Sequence, residues 1–211
     1  MFIEQSLNDY LDQLASAEPV PGGGATCALA GAAAAALVSM VCNLTIGRRR
    51  YREVEDELAR VLQASEGHRA RLQSLLQQDT EVYTSVMAAF RLPRQTESER
   101  ALREQAWQAA LAEAAAVPME IARQCLAVVE LAVLAGRLGN PWAVSDAGTA
   151  ALLAESAARA AGLSVEINLR SMTNANQVAA LRGELTATLE NAQARCAETL
   201  HVVQERMGAS A

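Results

Sequence analysis

The sequence predicts an all-α fold, a single-domain bundle of long antiparallel helices around a buried, alanine-rich central helix. Three observations carry that prediction. Hydrophobic residues make up 51% of the 211 positions but aromatic residues only 3%. The core must therefore be built from Ala, Leu and Val on closely approaching helices rather than from large rings. Apolar residues recur at helical spacing through long stretches poor in proline. No alternating strand pattern, internal repeat or domain-separating linker interrupts them, so residues 1–211 read as one domain.

Each element follows in order. Ser6, with Asp9 three residues on, caps a first helix that runs to about residue 17. Pro19 and Pro21 break the chain, and Gly22, Gly23 and Gly24 open the next helix. Ala25 to Ile46 is a run of 22 residues without a charge. Its length would suit a membrane span. Alanine, however, gains little from lipid, and Thr26, Ser39, Asn43 and Thr45 are polar, so the run reads as a helix buried on all sides by other helices. Gly47 ends it.

From Tyr51 to Arg91 the apolar positions Val54, Leu58, Val61, Leu72, Leu76, Tyr83, Val86 and Phe90 fit one helix on the order of 60 Å long, stopped by Pro93. Glu97 to Leu138 is helical again, interrupted or bent at Pro118. Gly139, Asn140 and Pro141 form a loop. Ser145 or Asp146 caps an alanine-rich helix reaching about residue 161, with a bend at Gly162 before Val165 to Leu169. A last helix covers about residues 175–207, and residues 208–211 are a tail.

Composition removes several function classes. The formal net charge is -6, unlike the basic surface that non-specific nucleic-acid binding requires. Every cation among the 18 basic residues is arginine, so lysine Schiff-base chemistry is out. Cys27, Cys42, Cys125 and Cys196 are scattered without a paired motif, and His68 and His201 are far apart. Neither a disulfide framework nor a metal site is expected. The acidic N-terminus lacks the apolar stretch of a secretory signal, so the expected location is cytoplasmic, off the membrane.

Asp79 lies on the apolar stripe of the long helix, three residues after Leu76 and four before Tyr83. A carboxylate there must be paired or have a raised pKa. It is either a structural partner for an arginine or helix end, or an acid/base group. Pro21 to Gly24 at the mouth of a helix is either a plain turn or a place where backbone N–H groups meet a ligand closely. It is neither a P-loop nor a dinucleotide fingerprint. Arg48, Arg49 and Arg50 are a solvated run or a grip for an anionic tail. Asn140 suits a turn and Asp146 a helix start. Asn168 and His68 read as satisfied core side chains.

Taken together, these pieces resemble the formiminotransferase-cyclodeaminase family, including its stand-alone methenyltetrahydrofolate cyclohydrolases. The resemblance rests on Pro19-Val20-Pro21-Gly22-Gly23-Gly24 and the small-residue helix. It continues with Asn43-Leu44-Thr45, Gly47 to Tyr51, Asp79 with Tyr83 and Val86 to Phe90. It ends with Ala116 to Met119, Gly139-Asn140, Ser145 to Ala147 and Ile167 to Leu169. It covers nearly the whole chain, with arginine where relatives often carry lysine in the basic run.

The resemblance implies a homodimer with a reduced folate, a tetrahydrofolate derivative, bound between helices near the subunit contact, and no metal. The first expectation is formimidoyltetrahydrofolate cyclodeamination: N10 attacks the formimino carbon, ammonia leaves and a 5,10-methenyl bridge forms. The alternative is hydrolysis of that bridge. Asp79 would transfer protons and Asp146 would be the second carboxylate. Pro21, the Gly22 to Gly24 amides, Tyr83, Asn140 and Asn168 would hold the ligand, and Arg49 or Arg50 its glutamate tail. A formiminotransferase would be a separate protein. The rival readings are a structural helical scaffold and an inactive folate-binding homologue.

Overall fold

The computed structural model describes residues 2–208, which form helices and turns and contain no strand. Of the tail expected at 208–211, Gly208 belongs to the last helix and the rest lies outside the described residues. Six α-helices carry the fold: α1 (Leu7–Leu14), α2 (Gly23–Asn43), α3 (Glu55–Phe90), α4 (Glu97–Leu138), α5 (Val144–Leu169) and α6 (Ala175–Gly208). The first helix is shorter than expected, although Ser6 does cap it by accepting from the Asp9 amide at 3.1 Å. The long third element is a short 3-10 helix, Arg49–Val54, followed by α3.

Antiparallel packing is fixed by contacts at several levels. Ser65 donates to the Ala35 carbonyl at 2.7 Å and Ser39 to Glu66 at 2.7 Å, joining α2 to α3. His68 meets Gln124 at 2.6 Å and Arg103 donates to the Phe90 carbonyl at 3.1 Å, joining α3 to α4. Helix α2 packs against α3, α4 and α5, and α6 lies against α4 and α5. Small residues permit the close approach. A methyl group on Gly31 would stand 2.7 Å from the Cys125 sulfur and 3.2 Å from Leu72, an overpacking that typically costs about 1–3 kcal/mol.

The central helix is not covered on every side. Ala25, Ala28, Ala32, Ala34, Ala35, Val38 and Val41 are buried, but Ala33, Ala36, Met40 and Leu44 form an exposed line along it. It is the one described helix long and apolar enough to cross a membrane, and 61% of its apolar window is buried within the bundle. That burial accounts for its composition as a core helix whose outer strip also lacks charge.

Two expected breaks are absent. Helix α4 runs through Pro118. Proline has no N–H, so the Ala114 carbonyl four residues back loses its helical donor. The Asn168 side-chain amide supplies one instead, at 2.8 Å. Helix α5 likewise runs through Gly162, which is buried against Leu185 and Leu189 of α6. Neither Ser145 nor Asp146 caps α5; both lie in its first turn, behind a short 3-10 helix at Pro141–Ala143 that Asn140 caps.

Candidate active site

Gly24 and Asp79 meet where α2 begins. An added methyl on Gly24 would lie within 2.7 Å of all three carboxyl atoms of Asp79, so only glycine leaves room for the carboxylate there. The Ala25 amide, in the first turn of α2, donates to that carboxylate. Burial pushes the Asp79 carboxyl above the ordinary carboxylate value, and the Ala25 amide pulls it partly back. Desolvation wins because it acts on the whole charge, whereas one N–H donor and the positive end of a helix only offset it.

Three neighbours of Asp79 were not legible as site residues in the sequence. Tyr10 is buried at 4% exposure, and its hydroxyl lies 3.3 Å from the Thr26 hydroxyl. Burial and, more weakly, the Asp79 charge raise the Tyr10 pKa, so it stays a protonated donor. Cys27 is pushed up to about 11 by burial, with Asp79 adding to the rise, and remains a thiol rather than a nucleophile. The one sequence signal was the position of Thr26 and Cys27 directly behind the glycines. Tyr10 was hidden on the apolar face of a short helix.

Tyr83 stands one turn beyond Asp79 on α3, 37% exposed. Asn168 belongs to the same end of the bundle, because the α3–α4 register places Ala114 near the level of Asp79. Both of its bonds, to the Ala114 and Ser164 carbonyls, use the side-chain N–H groups. Its oxygen is left as an acceptor.

Arg49, Arg50, Asn140 and Asp146 gather at the opposite end of α2. Gly24 and Leu44 are about 30 Å apart at 1.5 Å per helical residue. Gly47, at φ 78°, turns the chain there into Arg48 and the 3-10 helix. The Asn140 side-chain oxygen accepts from the Trp142 amide at 3.1 Å and the Tyr51 hydroxyl at 3.3 Å. Its backbone amide donates to Thr45 at 2.8 Å. Arg49 and Arg50 are exposed, with the Arg50 guanidinium 5.8 Å from the Tyr51 ring centre. Arg48, Arg49, Arg52 and Glu55 line a shallow hollow with Gly47.

Within one chain, then, Pro21 to Gly24, Asp79, Tyr83 and Asn168 share one end. Arg49, Arg50, Asn140 and Asp146 share the other. The hollow beside the first group, lined by Phe2, Ile3, Tyr10, Leu29 and Leu76 among others, measures 180 Å³. That falls below the roughly 300–1,000 Å³ usual for ligand pockets. Among the described residues no three His, Cys, Asp or Glu side chains converge as a metal would require.

Comparison with known proteins identifies the family. A Methylorubrum extorquens protein named methenyltetrahydrofolate cyclohydrolase is 44% identical over 168 residues, 80% of this chain and 81% of its own length. The formimidoyltransferase-cyclodeaminase of Rattus norvegicus is 29% identical over 97% of this chain, which spans only 38% of that longer protein. The crystal structure of formiminotetrahydrofolate cyclodeaminase from Thermotoga maritima superposes with a TM-score of 0.81 at 30% identity, covering 99% of this chain and 98% of that one. A sequence profile for formiminotransferase-cyclodeaminase matches residues 6–187, and with a relative of 44% identity over most of both lengths, the chain belongs to that family.

Proposed function

We propose that this chain is a one-carbon enzyme acting on reduced folate, and that it hydrolyses the bridge of 5,10-methenyltetrahydrofolate. The observation that carries the reading is the Asp79 carboxyl, desolvated and held against the first turn of α2. The 44% identical relative of similar length moves hydrolysis ahead of cyclodeamination, which the family resemblance had put first. Cyclodeamination stays as the second reading because the Thermotoga structure so named matches almost the whole chain.

The methenyl bridge is cationic, and a carboxylate beside it stabilises that charge while accepting a proton. In hydrolysis, Asp79 takes a proton from water as its oxygen bonds to the bridge carbon. The bond from carbon to one of the two bridged nitrogens then breaks, that nitrogen takes the proton from Asp79, and the added hydroxyl loses its remaining proton to solvent as it becomes the formyl C=O. In cyclodeamination, the same group takes the N10 proton, the new C–N bond forms, and the departing amine leaves as ammonia after protonation. Holding the reacting atoms together is the task of Gly22 to Gly24, Tyr83 and the Asn168 oxygen. Arg49 and Arg50 bind the acidic tail, while Asn140 holds the turn beside them. A homodimer, a cytoplasmic location and a separate formiminotransferase belong to the same proposal.

Following methenyltetrahydrofolate absorbance decides among the readings. Loss of the signal from added methenyl substrate supports hydrolysis. Its appearance from 5-formiminotetrahydrofolate, with ammonia, supports cyclodeamination. Neither change, with 5-formyltetrahydrofolate still raising Tm, leaves an inactive folate binder; neither change and no Tm shift leaves a helical scaffold.

A further inference from the structure

We propose that Tyr10 is a positioning residue for the reaction: its hydroxyl, acting through the hydroxyl of Thr26, holds the glycine turn in register with Asp79. The proposal rests on the folate reading above and adds to that site a support supplied by α1.

The start of α2 needs such a support. Its N-cap is Gly22, which has no side chain to close the helix end. The Thr26 amide makes the first helical bond, to the Gly22 carbonyl at 3.0 Å. The amides of Gly23, Gly24 and Ala25 come before it and have no carbonyl one turn back to bond. Ala25 donates to the Asp79 carboxylate, and those of Gly23 and Gly24 are left to face a ligand. Consecutive glycines leave the backbone free to take many conformations. Amides that must point in fixed directions from such a turn have to be held from outside it.

The hydrogen bonds supply the hold. The Thr26 hydroxyl donates to the Gly22 carbonyl at 2.9 Å. Its proton is thereby committed, so in the 3.3 Å contact between the two hydroxyls Tyr10 is the donor. A relay results, from the Tyr10 hydroxyl to the Thr26 hydroxyl to the Gly22 carbonyl. Tyr10 is itself fixed. Its side chain is buried, and its ring meets that of Phe2 edge-on at 6.2 Å. The Phe2 amide donates at 3.4 Å to Gln77 of α3, two residues before Asp79. The N-terminal segment is thus tied to both helices whose crossing makes the site. The titratable groups whose values respond to the Asp79 charge are Tyr10 from α1 and Cys27 from α2. Both are raised and stay neutral, so deleting the Tyr10 hydroxyl removes a hydrogen bond and not a charge.

The test compares Tyr10→Phe, Thr26→Val and the double variant on methenyltetrahydrofolate. Each single change is expected to lower kcat about tenfold, with KM changed less and Tm nearly kept. The double variant should be no slower than the slower single one, because both break the same relay. Thr26→Ser, which keeps the hydroxyl, should recover most of the rate lost in Thr26→Val. The acid limb of kcat/KM should also move to higher pH in both single variants. A loosened turn weakens the Ala25 bond that draws the Asp79 carboxyl down. Rates within about twofold of wild type, single effects that multiply in the double variant, or an acid limb that stays in place overturn the proposal. A second measurement needs no folate. The Asp79 carboxyl is titrated by NMR in carbon-13 aspartate-labelled protein, its signal identified by its loss in Asp79→Asn. Its midpoint should rise in Tyr10→Phe and Thr26→Val alike; an unchanged midpoint overturns the relay. A wild type inactive on folates would count against the functional reading, while this titration still decides whether Tyr10 sets the turn.

Discussion

At the N-terminal end of α2, Asp79 is held by a backbone amide in a desolvated position, with Gly24 cleared of side chain to admit it. At the C-terminal end, Asn140 is saturated: its oxygen takes two donors, its backbone amide a third partner, and all of them hold the turn into α5. The first arrangement places a titratable group where water has been removed. The second consumes its polar atoms in structure and leaves only the exposed arginines to meet a ligand. Proton transfer belongs to the first end, and recognition of an acidic tail to the second.

The contrast between the two ends is broken most sharply at Asp79. Replacing Asp79 with Asn should lower kcat by about 10²–10⁴-fold, the range for loss of a general base, with the helical circular-dichroism signal kept. Turnover within a few-fold of wild type would move the chemistry elsewhere. Gly24→Ala should come next, costing roughly tenfold to a hundredfold in kcat, because its methyl must displace the carboxylate it now faces.

Asn168 separates building from binding at the glycine end. Asn168→Ala leaves the Ala114 carbonyl without its substitute donor and should cost about 1–3 kcal/mol in a thermal or urea melt. Pro118→Ala restores a helical N–H to that carbonyl, so the added substitution should recover part of the loss. Strictly additive effects would show that the two residues do not act on the same group. The smallest change is expected at the other end. Arg49→Ala/Arg50→Ala should raise KM about tenfold with kcat and Tm nearly unchanged, and added salt should weaken the difference.

Much of this fold was open to reading in the sequence because helical periodicity and breakers act locally. The bounds of α4 and the charge-free run of α2 needed only neighbours within a turn or two. Pro118 misled because its rescue comes from Asn168, on another helix and fifty residues away. The caps expected at Ser145 and Asp146 failed because the short turn at Pro141 placed both inside the first turn of α5. Asp79 could be suspected from its apolar stripe. Its contact with Gly24, and the company of Tyr10, Thr26 and Cys27, depend on how α1 and α3 cross the start of α2, which no local pattern encodes. The split between the two ends was also hidden, since the order of motifs along a chain does not say how far apart a straight helix holds them.

A raised Asp79 pKa has consequences of definite sign. Its folded carboxyl titrates above its unfolded value, so the group favours folding when protonated, and that contribution is lost as pH rises through the folded pKa. Ionised Asp79 therefore works against stability at neutral pH, and Asp79→Asn should melt no lower than wild type there. The most direct test is the pH profile of kcat/KM for wild type and Asp79→Asn on methenyltetrahydrofolate, corrected for the substrate's own titration. Proton transfer by Asp79 predicts a wild-type acid limb with its midpoint above the ordinary carboxylate range, and no such limb in the variant's residual rate. A limb of the same midpoint in both proteins would contradict it.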